Sequence, residues 1–187
     1  MEELEHIDKL FSDLESTNDP IRYAAFKELE TITDHVVPWI YDKWYILTDK
    51  LSSENSYQRN IGLKLLANLS KSDTENRIGA ILDRYLELLE DNKFITSRQC
   101  LQNVWKIALD HGGIRKIIVQ RLENSYSDNI HLKRHGNLIK QDIIGSLFRI
   151  YQYTHDKDLL FKINELVDSE IDSKMIKSLR NIINQPL

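Results

Sequence analysis

A single cysteine, Cys100, in a chain of 187 residues excludes an intramolecular disulfide framework. Three prolines and six glycines are too few for a sandwich or barrel built on many tight turns. No apolar run approaches the ~18 residues that a membrane-spanning helix requires. The opening MEELEHIDKLF is acidic where a secretory signal would be basic and then apolar, which leads us to expect a cytoplasmic protein. Also missing are a glycine-rich phosphate loop, a nucleophile elbow and a zincin motif, so the sequence points away from an enzyme and implies no cofactor.

Leu, Ile, Glu, Lys and Asn dominate what is there, and their spacing is helical. Ile78, Ile81, Leu82, Tyr85 and Leu89 fall on one stripe; Leu101, Val104, Trp105 and Ala108 fall on another. The pattern predicts helices over about 2–15, 20–33, 37–51, 56–71, 73–90, 97–110, 113–124, 137–153, 157–168 and 173–183, with no competing strand pattern. Their starts carry capping signals. Ser72 with Glu75 and Thr96 with Gln99 read as capping boxes, Asn55 precedes Gln58 in the same way, Asp19 stands before Pro20, and Asp172 reads as a late cap. His111-Gly112-Gly113 reads as a helix stop.

Aligned on their starts, four helices share a frame: Arg22-x-x-Ala25-Phe26-x-x-Leu29, Arg59-x-x-Gly62-Leu63-x-x-Leu66, Arg98-x-x-Leu101-Gln102-x-x-Trp105 and Lys140-x-x-Ile143-Ile144-x-x-Leu147. A period of about 40 residues holding two helices is the mark of a hairpin solenoid, in which each pair buries its apolar face only against its neighbours. Asn18-Asp19-Pro20 and the bases at 22, 59 and 98 resemble HEAT-type repeats of the armadillo-like superfamily. The stretch DTENRIGAILDRYLELLEDNKFITSRQC, with LIKQDI further on, resembles short bacterial HEAT-repeat proteins of no established activity. The expected fold is all-α: a right-handed α-α superhelix of about four to five hairpins forming one domain over 1–187. Residues 1–15 would cap it and 19–183 would form the hairpins.

Charge is unevenly distributed. The chain carries a net charge of −4, yet residues 1–54 hold thirteen acids against five bases, and residues 93–149 hold ten bases against four acids. Such an architecture without a catalytic constellation points to a scaffold or adaptor that binds a protein or peptide on the concave side, lined by the second helix of each pair. Arg77, Arg84, Lys116 and Gln120 are the polar residues expected there. Trp39, Tyr41, Trp44 and Tyr45 crowd one helix, which would be apolar nearly all round. Either the N-terminal helix covers this cluster with Leu4, Ile7, Leu10, Phe11 and Leu14, or Trp39 and Tyr41 stay exposed as partner anchors.

The alternative partner is nucleic acid, held by the basic 93–149 region with Lys133 and Arg134 on phosphates. Alkylpurine DNA glycosylases use a HEAT-like fold in this way, and Trp105 with Asp110 offers a superficial match to their aromatic and carboxylate. On a helix, however, the two would be turned about 140° apart, and Trp105 reads as core. His131 and His135 have metal-ligand spacing but sit in a loop-like stretch with no completing ligand. Cys100, in phase with Val104 and Ile107, reads as a buried small apolar group.

Overall fold

The computed structural model describes residues 2–128 and 136–184, and among them it contains ten α-helices and no strand. Two compact units divide the chain, Met1–Arg84 and Tyr85–Leu187. The first holds α1 (Glu2–Asp13), α2 (Asp19–Ile32), α3 (Trp44–Lys50) and α4 (Ser56–Leu69). Its boundary with the second falls inside α5 (Ile78–Glu87), after which come α6 (Phe94–Asp110), α7 (Gly112–Ser127), α8 (Gly136–Thr154), α9 (Lys157–Asp168) and α10 (Ser173–Ile183).

In the first unit, α1 packs on α2, and α4 packs on both α2 and α3. The apolar stripe of α4, including Ile61, Leu63, Leu65, Leu66 and Leu69, is at most 2% exposed. Each such side chain contributes about 1.5–3 kcal/mol on burial. Gly62 is where α3 and α4 come closest: a Cβ there would lie 2.8 Å from Lys50 Cβ and 3.1 Å from the Leu47 carbonyl oxygen.

Two loops of this unit share a pair of hydrogen bonds. The backbone N–H groups of Asn18 and Asn55 donate to the hydroxyls of Ser16 and Ser53 at 3.1 and 3.2 Å. Arg22 and Arg59 then reach back six residues, donating from Nη1 to the Ser16 and Ser53 carbonyls at 2.8 and 2.7 Å. In this unit the arginine of the repeat frame thus ties the start of α2 and of α4 to the turn before it.

In the second unit α6 and α8 form the centre, with α7 against both and with α9 and α10 against α8. Cys100, Leu101, Val104, Ile107 and Ala108 of α6 and Ile143, Ile144, Leu147 and Ile150 of α8 are fully buried. The bases in frame have different partners here. Arg98 donates from Nε and Nη2 to Asp142 at 2.5 and 3.0 Å, and Lys140 pairs with Glu170 at 2.5 Å.

Three expectations about helix ends need correction. The predicted helix over 37–51 is α-helical only from Trp44 to Lys50; Pro38 to Asp42 form tight turns, in which the amides of Asp42, Lys43 and Trp44 donate three residues back, to the Trp39, Ile40 and Tyr41 carbonyls. Neither capping box forms. Ser72 lies in a 3-10 turn and accepts from the Val37 amide at 3.0 Å, while Asp73 caps α5 by accepting from Arg77 N and Ile78 N at 3.0 and 2.8 Å. Helix α6 starts at Phe94, ahead of Thr96, whose hydroxyl is buried without a partner among the described residues. Asn18, rather than Asp19, sits at the α2 cap position, with proline in the first turn. The Asn55 and Asp172 caps form as expected, accepting from Tyr57 N and Lys174 N at 2.9 Å. Helix α6 stops at Asp110 with only His111 before α7.

Candidate partner-binding surface

In the first unit the aromatic segment divides between core and surface. Trp39 is 2% exposed, with Phe11 of α1 edge-on at a ring-centroid distance of 5.8 Å. The N-terminal helix therefore covers Trp39, which is a core residue and not an exposed anchor. Ile7, Leu10 and Phe11 of that helix and Leu14 just past its end are all buried, while Leu4 is exposed. Lys43 and Lys50 hold it from outside through ion pairs with Asp8 and Glu15.

Tyr41, by contrast, is half-buried and joined to a second expected residue. Its hydroxyl donates to Asp73 Oδ1 at 2.9 Å and accepts from the Glu75 amide at 2.7 Å. The Arg77 guanidinium lies over the ring at 4.3 Å and donates from Nε to Glu75 at 2.8 Å. That hydrogen bond to the Glu75 carboxylate raises the Arg77 pKa further, so the group is a fixed cation. Arg84, two turns along α5, is half-buried. Tyr45 and Ile46 on α3 are 73% and 43% exposed.

In the second unit a cleft of about 390 Å³ opens between α7 and α9, and Lys116 and Gln120 both line it. Its other charged groups largely serve the fold. Arg115 donates to the Ala108 and Leu109 carbonyls at 2.7 and 3.1 Å, satisfying the end of α6. Asp156 caps α9, accepting from Asp158 N and Leu159 N at 3.0 and 3.2 Å. Lys162 pairs with Glu123 at 3.1 Å. The exposed groups facing the cleft are thus led by Lys116, Gln120 and Asp158.

Much of the basic 93–149 region is engaged inside the fold. Arg98, Arg121 and Lys140 pair with Asp142, Glu90 and Glu170. Trp105 is half-exposed rather than part of the core stripe: its indole N–H donates to the Gln102 carbonyl at 2.9 Å, and Arg149 and Lys106 lie over its ring at 5.3 and 5.9 Å. Lys133, Arg134, His131 and His135 lie outside the described residues. Cys100 is buried, and burial pushes its thiol pKa well up, away from the reactive thiolate. Among the described residues no cluster of three metal-ligating side chains occurs, and no helix is long and apolar enough to cross a membrane.

No family profile matches the sequence, and a search of curated proteins finds no match. Solved structures do match. An engineered protein, 18% identical, aligns over 95% of this chain and 77% of its own with a TM-score of 0.56. A designed armadillo repeat protein, crystallised with the peptide (KR)4, is 12% identical and aligns over 95% of this chain and 99% of its own with a TM-score of 0.50. The chain has an all-α, armadillo/HEAT-like repeat fold.

Sequence reasoning missed two features. Asp73 joins the α5 cap to Tyr41, and its signal was available as an acid four residues before Arg77. The exposure of Tyr45 and Ile46 had no local signal, because which side of an all-round apolar segment is covered depends on what packs against it.

Proposed function

We propose that the protein is a non-catalytic helical-repeat scaffold that binds a protein or peptide through the second helices of its hairpins. Tyr41, Arg77, Arg84, Lys116 and Gln120 would take part. The observation that carries this reading is the α7/α9 cleft, where Lys116 and Gln120 stand exposed while Arg115, Asp156 and Lys162 hold its walls in place. A preformed cleft between consecutive second helices, lined by apolar side chains such as Val119 and Leu159 beside the polar groups, suits an extended chain, whose backbone and side chains need apolar contact as well as donors and acceptors. The designed armadillo neighbour bound to a peptide supports the same class of partner. Affinity capture with the wild-type chain and with the variants Lys116→Glu/Gln120→Ala and Arg77→Glu/Arg84→Glu tests it. A partner held by the wild type is lost from at least one variant; recovery of every partner by both, with helicity intact, counts against the reading.

A second reading, a nucleic-acid module, draws on one observation: Trp105 between Lys106 and Arg149 joins an aromatic face to two cations on neighbouring helices. It requires retention on single-stranded DNA that falls with salt, the log-log slope changing by about 0.7 for each phosphate contact. Absence of retention at low ionic strength removes it.

A further inference from the structure

The α3 face of the first unit combines exposed apolar surface with uncompensated charge of one sign. Tyr45 and Ile46 are 73% and 43% exposed, although every other apolar side chain of this helix is buried. Asp49 lies four residues after Tyr45 and three after Ile46, so it shares their side of the helix. Asp42 precedes them by three and four residues, in the turn that leads into the helix, where Asp42 N donates to Trp39 O and Trp44 N to Tyr41 O. Both aspartates are exposed, and neither has an ion-pair partner among the described residues. Several other acids of the unit are engaged: Asp8 by Lys43, Glu15 by Lys50, Glu30 by Lys27 and Glu75 by Arg77. That last pair also balances the cation nearest Tyr41. The unit as a whole holds sixteen acids against ten bases.

We propose that this face docks a cationic peptide segment, with Tyr45 and Ile46 receiving apolar side chains and Asp42 and Asp49 receiving the flanking bases. The inference rests on the scaffold reading but assigns it a surface apart from the α7/α9 cleft, and a partner chemistry. Seven residues separate Asp42 from Asp49, of which Trp44–Lys50 are α-helical. The fitting segment has apolar residues flanked by basic ones, as in Lys-Leu-Phe-Lys. An anionic partner would meet repulsion at both rims.

Fluorescence anisotropy with a fluorescein-labelled Gly-Lys-Leu-Phe-Lys-Gly peptide tests this on the full chain. Asp42→Asn/Asp49→Asn should weaken binding about tenfold, since two rim pairs are removed. Tyr45→Ala should weaken it as well, whereas a Glu-Leu-Phe-Glu analogue should not bind. Glu5→Gln/Glu54→Gln removes the same amount of charge from exposed positions elsewhere in the unit and should leave affinity within about twofold. Equal losses from both pairs would mean attraction by overall charge alone and overturn the proposal, as would unchanged binding in the Asp42/Asp49 variant or no binding by the wild type. Those failures leave the Lys116/Gln120 capture result standing, so the two readings fall separately.

Discussion

Two glycines in the middle of helices have opposite surroundings and should respond oppositely to the same change. In a helix interior, Gly→Ala gains about 1 kcal/mol of propensity when nothing else changes. At Gly145 of α8 an added Cβ meets nothing within 4 Å, so Gly145→Ala should stabilise by up to that amount. At Gly62 the contact with Lys50 Cβ forces α3 and α4 apart, and overpacking of about 1–3 kcal/mol outweighs the gain. Denaturant midpoints should shift up for the first and down for the second; a rise for both would contradict the close approach of α3 and α4. Burial also raises the pKa of Cys100 well above its ordinary value. The unfolded thiol releases its proton at about 8.5, where the folded one keeps it, so stability is full below that pH and declines above it. Melting temperatures of the wild type and Cys100→Ala between pH 8 and 10 check the sign: the wild type should fall more steeply. Identical slopes would mean that the thiol titrates freely.

Helices were legible in the sequence from apolar spacing, and their ends less so. The stripes of α5 and α6 require burial on one side, and that requirement holds whatever the neighbours are. A cap depends on which of several adjacent polar residues the chain turns toward, and that is decided at longer range. Ser72 accepts from Val37, 35 residues away, and is thereby withdrawn from the helix start; Asp73 replaces it with both carboxylate oxygens. Asp73→Ala should therefore cost more than an ordinary cap, which is worth about 1 kcal/mol, because Tyr41 loses its acceptor as well. Ser72→Ala should cost the single bond to Val37 without fraying α5. Hydrogen exchange at Arg77 and Ile78 distinguishes them: faster exchange in the Asp73 variant only is expected, and faster exchange in the Ser72 variant would restore the capping box. The Arg22 and Arg59 loops show the other side of the lesson. Their shared spacing was readable because each arginine bonds within its own turn, six residues back, where sequence and structure coincide.

At the scale of the whole molecule, the repeat period and the all-α class followed from the sequence, since each helical pair needs neighbours to cover its apolar face. The structure has two compact units, with the boundary inside a continuous helix. The candidate surface was legible in part. Lys116 and Gln120 line one cleft, Tyr41 and Arg77 stack together, and Trp39 is core because α1 covers it. The basic region 93–149 read as a phosphate-tracking face because carboxylates such as Glu90 and Glu170, outside it in sequence, meet its bases only in the fold. The proposal that second helices carry the partner is tested most directly by photo-crosslinking in living cells, with the reactive side chain at position 84 or 120 and, for comparison, at exposed positions 54 and 95. Adducts to a discrete protein from 84 or 120, absent from 54 and 95, are the expected result. Equal labelling from all four positions, or adducts to nucleic acid, would contradict it.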